Sequence, residues 1–165
     1  MTELALHPLC APVAFLLGEW SGEGRGGYPG MEPFRYGEEM RVWHVGKPYL
    51  AFEQRSWALH GAGRQGRLLH GESGFLRCLD EGLLELVVAM APGHAEVSIG
   101  RVDERRINLE SVGVLDAPSA ARVSVVRRSW WLEGGALRYD VEMAALDQPM
   151  SWHLSAELRR RQLPN

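Results

Sequence analysis

The residues of this chain best suited to chemistry are its six histidines: His7, His44, His60, His70, His94 and His153. No pair has the His-x-x-x-His spacing of a zinc motif, so the sequence does not predict a mononuclear zinc site. A Gly-x-Ser-x-Gly nucleophile elbow is also missing from the sequence. A lone histidine can also hold the iron of a prosthetic group above an apolar cavity.

The histidine that we single out is His153, in the C-terminal segment 148–154. If this segment is extended, alternate residues point to opposite faces of the strand. Trp152 and Leu154 would then share an apolar face, and His153 would share a polar face with Ser155. Two interpretations remain open at this point. His153 is either a solvated residue at a strand end, or a ligand on a face that turns into the mouth of a barrel.

A glycine-rich segment, residues 18–27, lies near the N-terminus and includes Trp20. A phosphate-binding loop would need a helix N-terminus directly after the glycines, but Tyr28 and Pro29 follow instead. Alternate glycines in a strand let backbones cross closely or bend at a barrel corner. We therefore interpret this segment as structural, and we expect Trp20 to pack against the floor of the barrel.

The elements that must position these residues are short β-like runs separated by turns. The clearest is Ala136–Ala145, where apolar and polar residues alternate after the hairpin sequence Glu133-Gly134-Gly135. A short helix is predicted at residues 12–17. The pattern predicts ten strands, at residues 19–26, 36–45, 49–59, 67–78, 83–90, 94–102, 106–113, 122–132, 136–145 and 152–161. Successive strands with short turns favour an all-β, antiparallel up-and-down barrel.

Length and composition limit the remaining function classes. The 165 residues predict a single domain, residues 1–165, and the net charge of −3 gives no reason to expect a nucleic acid partner. We expect no membrane partner, because no apolar run approaches the roughly 20 residues of a membrane span. The N-terminal segment lacks the basic region of a signal peptide. Cys10 and Cys78 form no disulfide framework, which favours a reduced, cytoplasmic protein. An edge-to-edge or face-packed homodimer is compatible with the sequence.

Several short motifs together resemble the nitrobindin family. Residues 17–24 fit the family's Gly-x-Trp-x-Gly-x-Gly signature, and Tyr28-Pro29 follows. Further matching segments are residues 33–39, 44–48 and 70–77, and Gln148-Pro149 with His153-Leu154. Their order and spacing are specific, and they extend over nearly the whole chain, from about residue 16 to residue 161.

The resemblance implies a ten-stranded barrel similar to lipocalins and fatty-acid-binding proteins, with one ferric haem b per chain. It implies that His153 is the axial iron ligand and the catalytic residue. It also implies an activity, the isomerisation of peroxynitrite to nitrate, together with reversible binding of nitric oxide. His44 and His70 correspond to pocket or rim histidines of the family, and Arg122 corresponds to a basic residue that meets a haem propionate.

This chain departs from the family pattern at one point. Family members commonly carry Thr-Ile after the Tyr-Pro pair, near the distal face of the haem, whereas here Gly30 and Met31 follow. Met31 is therefore expected to lie at the cofactor, where its flexible side chain covers or ligates the sixth position. The departure bears on the activity more than on the fold.

Three functions from different classes are compatible with the sequence. The first is a haem enzyme acting on peroxynitrite. The second is a haem-based nitric oxide carrier or sensor without turnover, and the third is a lipocalin-like binder of a small apolar ligand without iron. The absorption spectrum of the protein after haem addition separates the third from the other two.

Overall fold

The computed structural model describes residues 4–60 and 65–161, without the side chain of His60, and the start of the N-terminal segment lies outside these ranges. The chain begins with a 3-10 helix, Pro8–Leu16. The strands are β1 (Gly18–Tyr28), β2 (Met31–His44), β3 (Tyr49–His60), β4 (Leu68–Cys78), β5 (Leu83–Met90), β6 (His94–Asp103), β7 (Arg106–Asp116), β8 (Val123–Glu133), β9 (Ala136–Ala145) and β10 (Ser151–Arg160). A 3-10 turn, Asp80–Gly82, joins β4 to β5.

The ten strands form a closed antiparallel barrel. Each strand pairs with its neighbours in sequence, and β1 also pairs with β10, from Trp20 opposite Arg160 to Gly26 opposite Leu154. Closure is favourable because it pairs the backbone groups that an edge strand would leave exposed. The predicted up-and-down barrel is confirmed. The pairing of β7 with β8 runs only from Arg106 opposite Trp131 to Glu110 opposite Arg127, so residues 111–116 of β7 and 123–126 of β8 are not paired with each other.

The two ends of the barrel differ. The end at which β1 starts, which we call the floor, carries the N-terminal 3-10 helix. Trp20 is fully buried there, and its indole Nε1 donates a hydrogen bond to the carbonyl of Leu16 at 2.8 Å. The guanidinium of Arg160 lies over the same ring, 4.4 Å from its centroid. Trp20 thus ties the helix to the barrel, as expected. The opposite end, where β1 turns into β2, is called the mouth.

Glycines of β1 make room for its neighbours, which supports their structural interpretation. An ideal Cβ built on Gly22 would lie 2.1 Å from the carbonyl oxygen of Glu157 in β10. One built on Gly24 would lie 2.2 Å from Cζ of Tyr36 in β2. Any larger residue would therefore push apart two strands or displace a buried ring.

Several element boundaries differ from the prediction, and the two largest differences are at the starts of β2 and of the N-terminal helix. β2 begins at Met31 rather than at residue 36, although it contains Pro33. Proline cannot donate a backbone hydrogen bond, but β2 pairs with β3 only from Arg35 onwards, so Pro33 lies where the strand is paired on one side. The N-terminal helix begins at Pro8 rather than at residue 12. Within the described ranges, no helix is long and apolar enough to cross a membrane.

Candidate functional site

His153 lies at an irregular point in β10. Trp152 pairs with Glu142 of β9 and Leu154 pairs with Val141, so His153 is the extra residue of a β-bulge. The bulge interrupts the alternation along the strand: Trp152 is 39% exposed, whereas Leu154 packs against the core. The expectation that these two residues share a face is therefore wrong. His153 itself is half-buried, so it does not follow the alternation that would leave it on the solvated face.

The neighbour of the bulge on the other side is Gly27 of β1. Regular pairing of β1 with β10 ends at Gly26 and Leu154, so Gly27 and His153 face each other beyond the last regular pair. Nδ1 of His153 lies 3.0 Å from the carbonyl oxygen of Gly27. Because a carbonyl only accepts, Nδ1 carries the proton and Nε2 keeps its lone pair. Metal-binding histidines are commonly oriented by such a hydrogen bond.

The electrostatics of His153 favour the neutral ring. Burial lowers the pKa of His153, the hydrogen bond from Nδ1 to Gly27 opposes this shift, and the nearby His70 lowers the pKa further. Protonation of Nε2 would remove the lone pair that a metal needs. The environment therefore keeps the imidazole in the form that can coordinate.

Apolar side chains lie at the same end of the barrel as His153. The ring of Tyr28 meets the ring of His153 edge-on, with centroids 5.8 Å apart and planes at 80°. Several partly buried residues near the mouth ends of their strands pack against the core: Phe34, Leu69, Met90, Val123, Met143 and Leu154. A wall of this kind suits a large apolar ligand better than a free ion.

His70 lies beside a buried ion cluster. Its Nε2 is 3.3 Å from Oε2 of Glu72. Glu72 also binds Arg128 through two hydrogen bonds, of 2.9 and 3.1 Å, and Arg128 donates to Glu96 at 2.8 Å. Burial by itself would raise the pKa of Glu72, but the charge of Arg128 and the contact with His70 lower it to about 2. His70 is thus linked through Glu72 to the interior of the barrel.

A buried carboxyl lies in the same layer. Glu38 is 1% exposed and accepts a hydrogen bond from the hydroxyl of Tyr139, which lies 2.7 Å from the hydroxyl of Tyr36. Burial raises the pKa of Glu38 to about 8. We use the name polar layer for this group and the ion cluster together: Tyr36, Glu38, Gln54, Glu72, Glu96, Arg128 and Tyr139. Along β2 it lies between Phe34 on the mouth side and Met40 on the floor side.

The structure does not bring all the predicted site residues together. His44 ends β2 at the floor and its Nδ1 accepts a hydrogen bond from the backbone of Gly46 at 3.4 Å. The expectation that His44 belongs to the pocket or rim is wrong. His44 lies at the floor end of β2, roughly 40 Å from the mouth end of that strand at about 3.3 Å per residue. Met31 and Arg122 do lie at the mouth, at the start of β2 and before β8, and both are exposed.

A cleft of about 730 Å³ borders the polar layer, because Gln54 and Glu72 belong to its lining, whereas His153 does not. Its lining includes the ion-paired residues Glu39, Arg55 and Arg161 and the small residues Ser73 and Ala89. It contains none of the predicted site residues. Across the described ranges, no three His, Cys, Asp or Glu side chains converge where they could hold a metal ion.

Some residues important to the site had no part in the sequence prediction. The carbonyl of Gly27 carries no sequence signal, since any residue offers one. The charged members of the polar layer do carry a signal. Glu38 and Arg128 each occupy a position whose side chain points into the barrel, and the residues two positions before and after them are apolar. A charge at such a position of a strand has to be paired or neutral, and this would have pointed to the interior of the barrel.

Fold and site together define a class of protein: an up-and-down β-barrel that offers one neutral histidine, with Nε2 free, to an apolar ligand at its mouth. Residues 9–160 match the family described as the THAP4-like, heme-binding beta-barrel domain, and the chain belongs to this family. The resemblance to nitrobindin is thereby confirmed. Haem as the cofactor is also confirmed, and its b form stays a prediction.

Several relatives cover nearly the whole chain. A protein from Nocardioides sp. named peroxynitrite isomerase is 40% identical over 156 residues, which is 94% of this chain and 95% of the relative. Peroxynitrite isomerase 1 from Mycolicibacterium paratuberculosis is 41% identical over 162 residues, which is 94% of this chain and 97% of that protein. The crystal structure of Rv2717c from M. tuberculosis matches with a TM-score of 0.86 and 37% identity, over 96% of this chain and 100% of that chain.

Proposed function

We propose that the chain is a haem-dependent peroxynitrite isomerase in which His153 is the axial ligand of the iron. The observation that carries the proposal is the hydrogen bond from Nδ1 of His153 to Gly27, which leaves Nε2 free at the mouth. The names of the relatives support the reaction, and the haem-binding family supports the cofactor.

The residues present fit a haem. Nε2 of His153 supplies one nitrogen ligand, and the partly buried side chains of the mouth supply an apolar wall for the macrocycle. Arg122 is exposed at the same end and offers a positive charge to a propionate carboxylate. Haem b needs no covalent link, which agrees with the position of Cys10 and Cys78, both buried at the floor.

When bound, a ferric haem would supply the Lewis-acid and redox chemistry that rearranges peroxynitrite to nitrate. The chain contributes the rest. Burial keeps His153 neutral, and the hydrogen bond to the Gly27 carbonyl fixes the direction of its ring. The apolar wall excludes water from the reacting anion. The side chain of Met31, 47% exposed at the rim, is proposed to cover the open position.

His70 is proposed to contribute to the same pocket. It is near enough to His153 to lower the pKa of that residue, and Glu72 fixes its other side. Because a carboxylate only accepts, Nε2 of His70 carries the proton toward Glu72, and Nδ1 of a neutral ring offers its lone pair to a group bound in the pocket. Reversible binding of nitric oxide at the same site is a second candidate function, since His153 is the single side chain that we propose as a ligand of the iron.

We also propose a face-packed homodimer. Phe75, Val87 and Val97 lie side by side on the outer wall of β4, β5 and β6, and all are exposed, as is Ile99 of β6. A contiguous apolar patch commonly marks an interface. A second copy is the occupant we favour, because a two-fold axis through the patch would cover both patches at once. Val97→Lys should then convert a dimer into a monomer in analytical ultracentrifugation.

The proposed function is tested by haem titration and stopped flow. Reconstituted wild type should show a Soret band and raise the yield of nitrate from peroxynitrite. His153→Ala should lose most haem affinity, whereas His44→Ala, at the floor, should bind haem like the wild type. An unchanged spectrum and affinity in His153→Ala would show that another residue binds the iron. Haem binding and nitric oxide binding without nitrate formation would favour the carrier or sensor.

A further inference from the structure

Tyr28 connects two strands that are not adjacent in the barrel. Its hydroxyl accepts a hydrogen bond from the N–H of Ala145 at 2.8 Å. It can donate to the carbonyl of Met143 at 3.1 Å or to that of Ala145 at 3.2 Å. Tyr28 belongs to β1 and Ala145 to β9, and β10 lies between them. The side chain, 6% exposed, therefore crosses β10.

The crossing takes place beside His153. The ring of Tyr28 meets the imidazole edge-on, with centroids 5.8 Å apart. The residue before Tyr28 is Gly27, whose carbonyl accepts the hydrogen bond from Nδ1 of His153. Anchoring Tyr28 to β9 therefore restrains both the side of the imidazole and the carbonyl that determines its tautomer.

Regular strand pairing does not provide this restraint. The pairing of β1 with β10 ends at Gly26 and Leu154, before Gly27 is reached. On the β2 side, the register shifts between Gly26 and Tyr28. The position of the Gly27 carbonyl then depends on what holds the adjoining residue. The hydrogen bonds of the Tyr28 hydroxyl hold it directly.

We propose that Tyr28 is a positioning residue for the iron ligand: it holds the Gly27 carbonyl against Nδ1 of His153 and thereby keeps the lone pair on Nε2. This inference rests on the proposed role of His153 in haem binding. Loss of a hydrogen-bonding partner behind a metal ligand typically costs 10- to 100-fold in affinity. Tyr28→Phe removes the hydroxyl alone, so the loss of haem affinity should lie at the lower end of that range.

The experiment begins with the haem-free protein, so that its first result does not depend on the cofactor. Histidine-labelled protein is examined by ¹⁵N NMR to determine the tautomer of His153. The wild type should carry the proton mainly on Nδ1, and Tyr28→Phe should increase the Nε2–H form several-fold. A wild type that is mainly in the Nε2–H form would overturn the proposal, whatever the variants do.

Tyr36→Phe is the matched control. Tyr36 is also a buried tyrosine of the barrel interior, and its hydroxyl is within hydrogen-bond reach of Tyr139 and of the Ser155 carbonyl. It should leave the tautomer of His153 unchanged, and its ferric haem affinity should stay within about twofold of wild type. Tyr28→Phe should weaken haem binding by about tenfold and shift the iron–histidine stretching band in resonance Raman spectra. Equal effects of the two variants on the tautomer would show that general loosening, and not positioning, is responsible.

A His153→Gly background separates the two proposals. With added imidazole as the ligand, Tyr28→Phe should no longer change haem affinity, because a free imidazole needs no Gly27 carbonyl. A tenfold loss that persists in this background would overturn the positioning role. Unchanged haem binding by His153→Gly without imidazole would instead refute the ligand assignment, and the NMR result would still decide the role of Tyr28.

Discussion

The ring of Phe34 occupies the space that a Cβ at position 26 would need: an ideal Cβ on Gly26 lies 2.2 Å from Cζ of Phe34. Gly26→Ala should therefore displace this ring and destabilise the barrel by about 1–3 kcal/mol, as overpacked cores do. Because Phe34 belongs to the mouth, the haem spectrum should change as well. Urea unfolding and haem titration measure the two effects.

Gly113→Ala is the control for this substitution. A Cβ built on Gly113 has no atom within 4 Å, and the backbone there is not in the left-handed region. Its free energy of unfolding should stay within about 0.5 kcal/mol of wild type. If both substitutions lowered the free energy of unfolding equally, the cost would come from replacing a glycine in a strand and not from the clash with Phe34.

Stability should decrease with rising pH because of Glu38. Its pKa is about 8 in the folded protein, above the ordinary value of 4.5. Between these values the folded state binds a proton that the unfolded state has released. The contribution of Glu38 to the free energy of unfolding is therefore fully present below about pH 4.5. It is lost as the pH rises to about 8, by at most about 1.4 kcal/mol per pH unit.

The measurement is the free energy of unfolding across that pH window for wild type and Glu38→Gln. The variant should lose this part of the pH dependence, since an amide does not titrate. Tyr139, Gln54, Glu72 and Arg128 also act on Glu38 and remain in both proteins. A wild-type slope that persists in Glu38→Gln would assign the titration to another group.

Arg128→Met should be among the most damaging single substitutions. It leaves Glu72 and Glu96 buried without their cation, and breaking a buried ion pair in this way typically costs about 3–5 kcal/mol. Adding Glu72→Gln and Glu96→Gln should recover much of the loss, because the uncompensated charges disappear. Arg127→Met is the control: the ion pair of Arg127 with Glu110 is exposed, so its loss should cost under about 1 kcal/mol. Thermal unfolding of the four proteins compares them.

The departure from Thr-Ile at residues 30 and 31 can be tested only one residue at a time. Gly30 has φ +84°, a conformation that threonine adopts poorly, so a threonine there would also distort the turn. Met31→Ile changes the side chain at the rim and keeps the turn. It should alter the rate of cyanide or nitric oxide binding to the ferric protein. Unchanged rates would place the Met31 side chain away from the iron.

The sequence predicted the fold well and the site in part. β9, Ala136–Ala145, is found at its predicted bounds because one apolar and one polar face alternate without interruption. His153 was different. Alternation placed it on the polar face, and the bulge that releases it from alternation has no residue type of its own. The position of His44 could not be predicted from its neighbours in sequence either, since the direction of β2 in the barrel decides at which end His44 lies.

The bulge in β10 makes the length of the chain, and not only its composition, informative about the site. One residue more lies between Trp152 and Leu154 than between their partners Glu142 and Val141. A related barrel that lost this residue would regain uninterrupted strand pairing and could still fold, but a histidine beside the gap would point elsewhere. When chains of this family are aligned, a one-residue deletion at this point should therefore mark barrels that no longer bind haem iron, even where the glycines and Trp20 of β1 are retained.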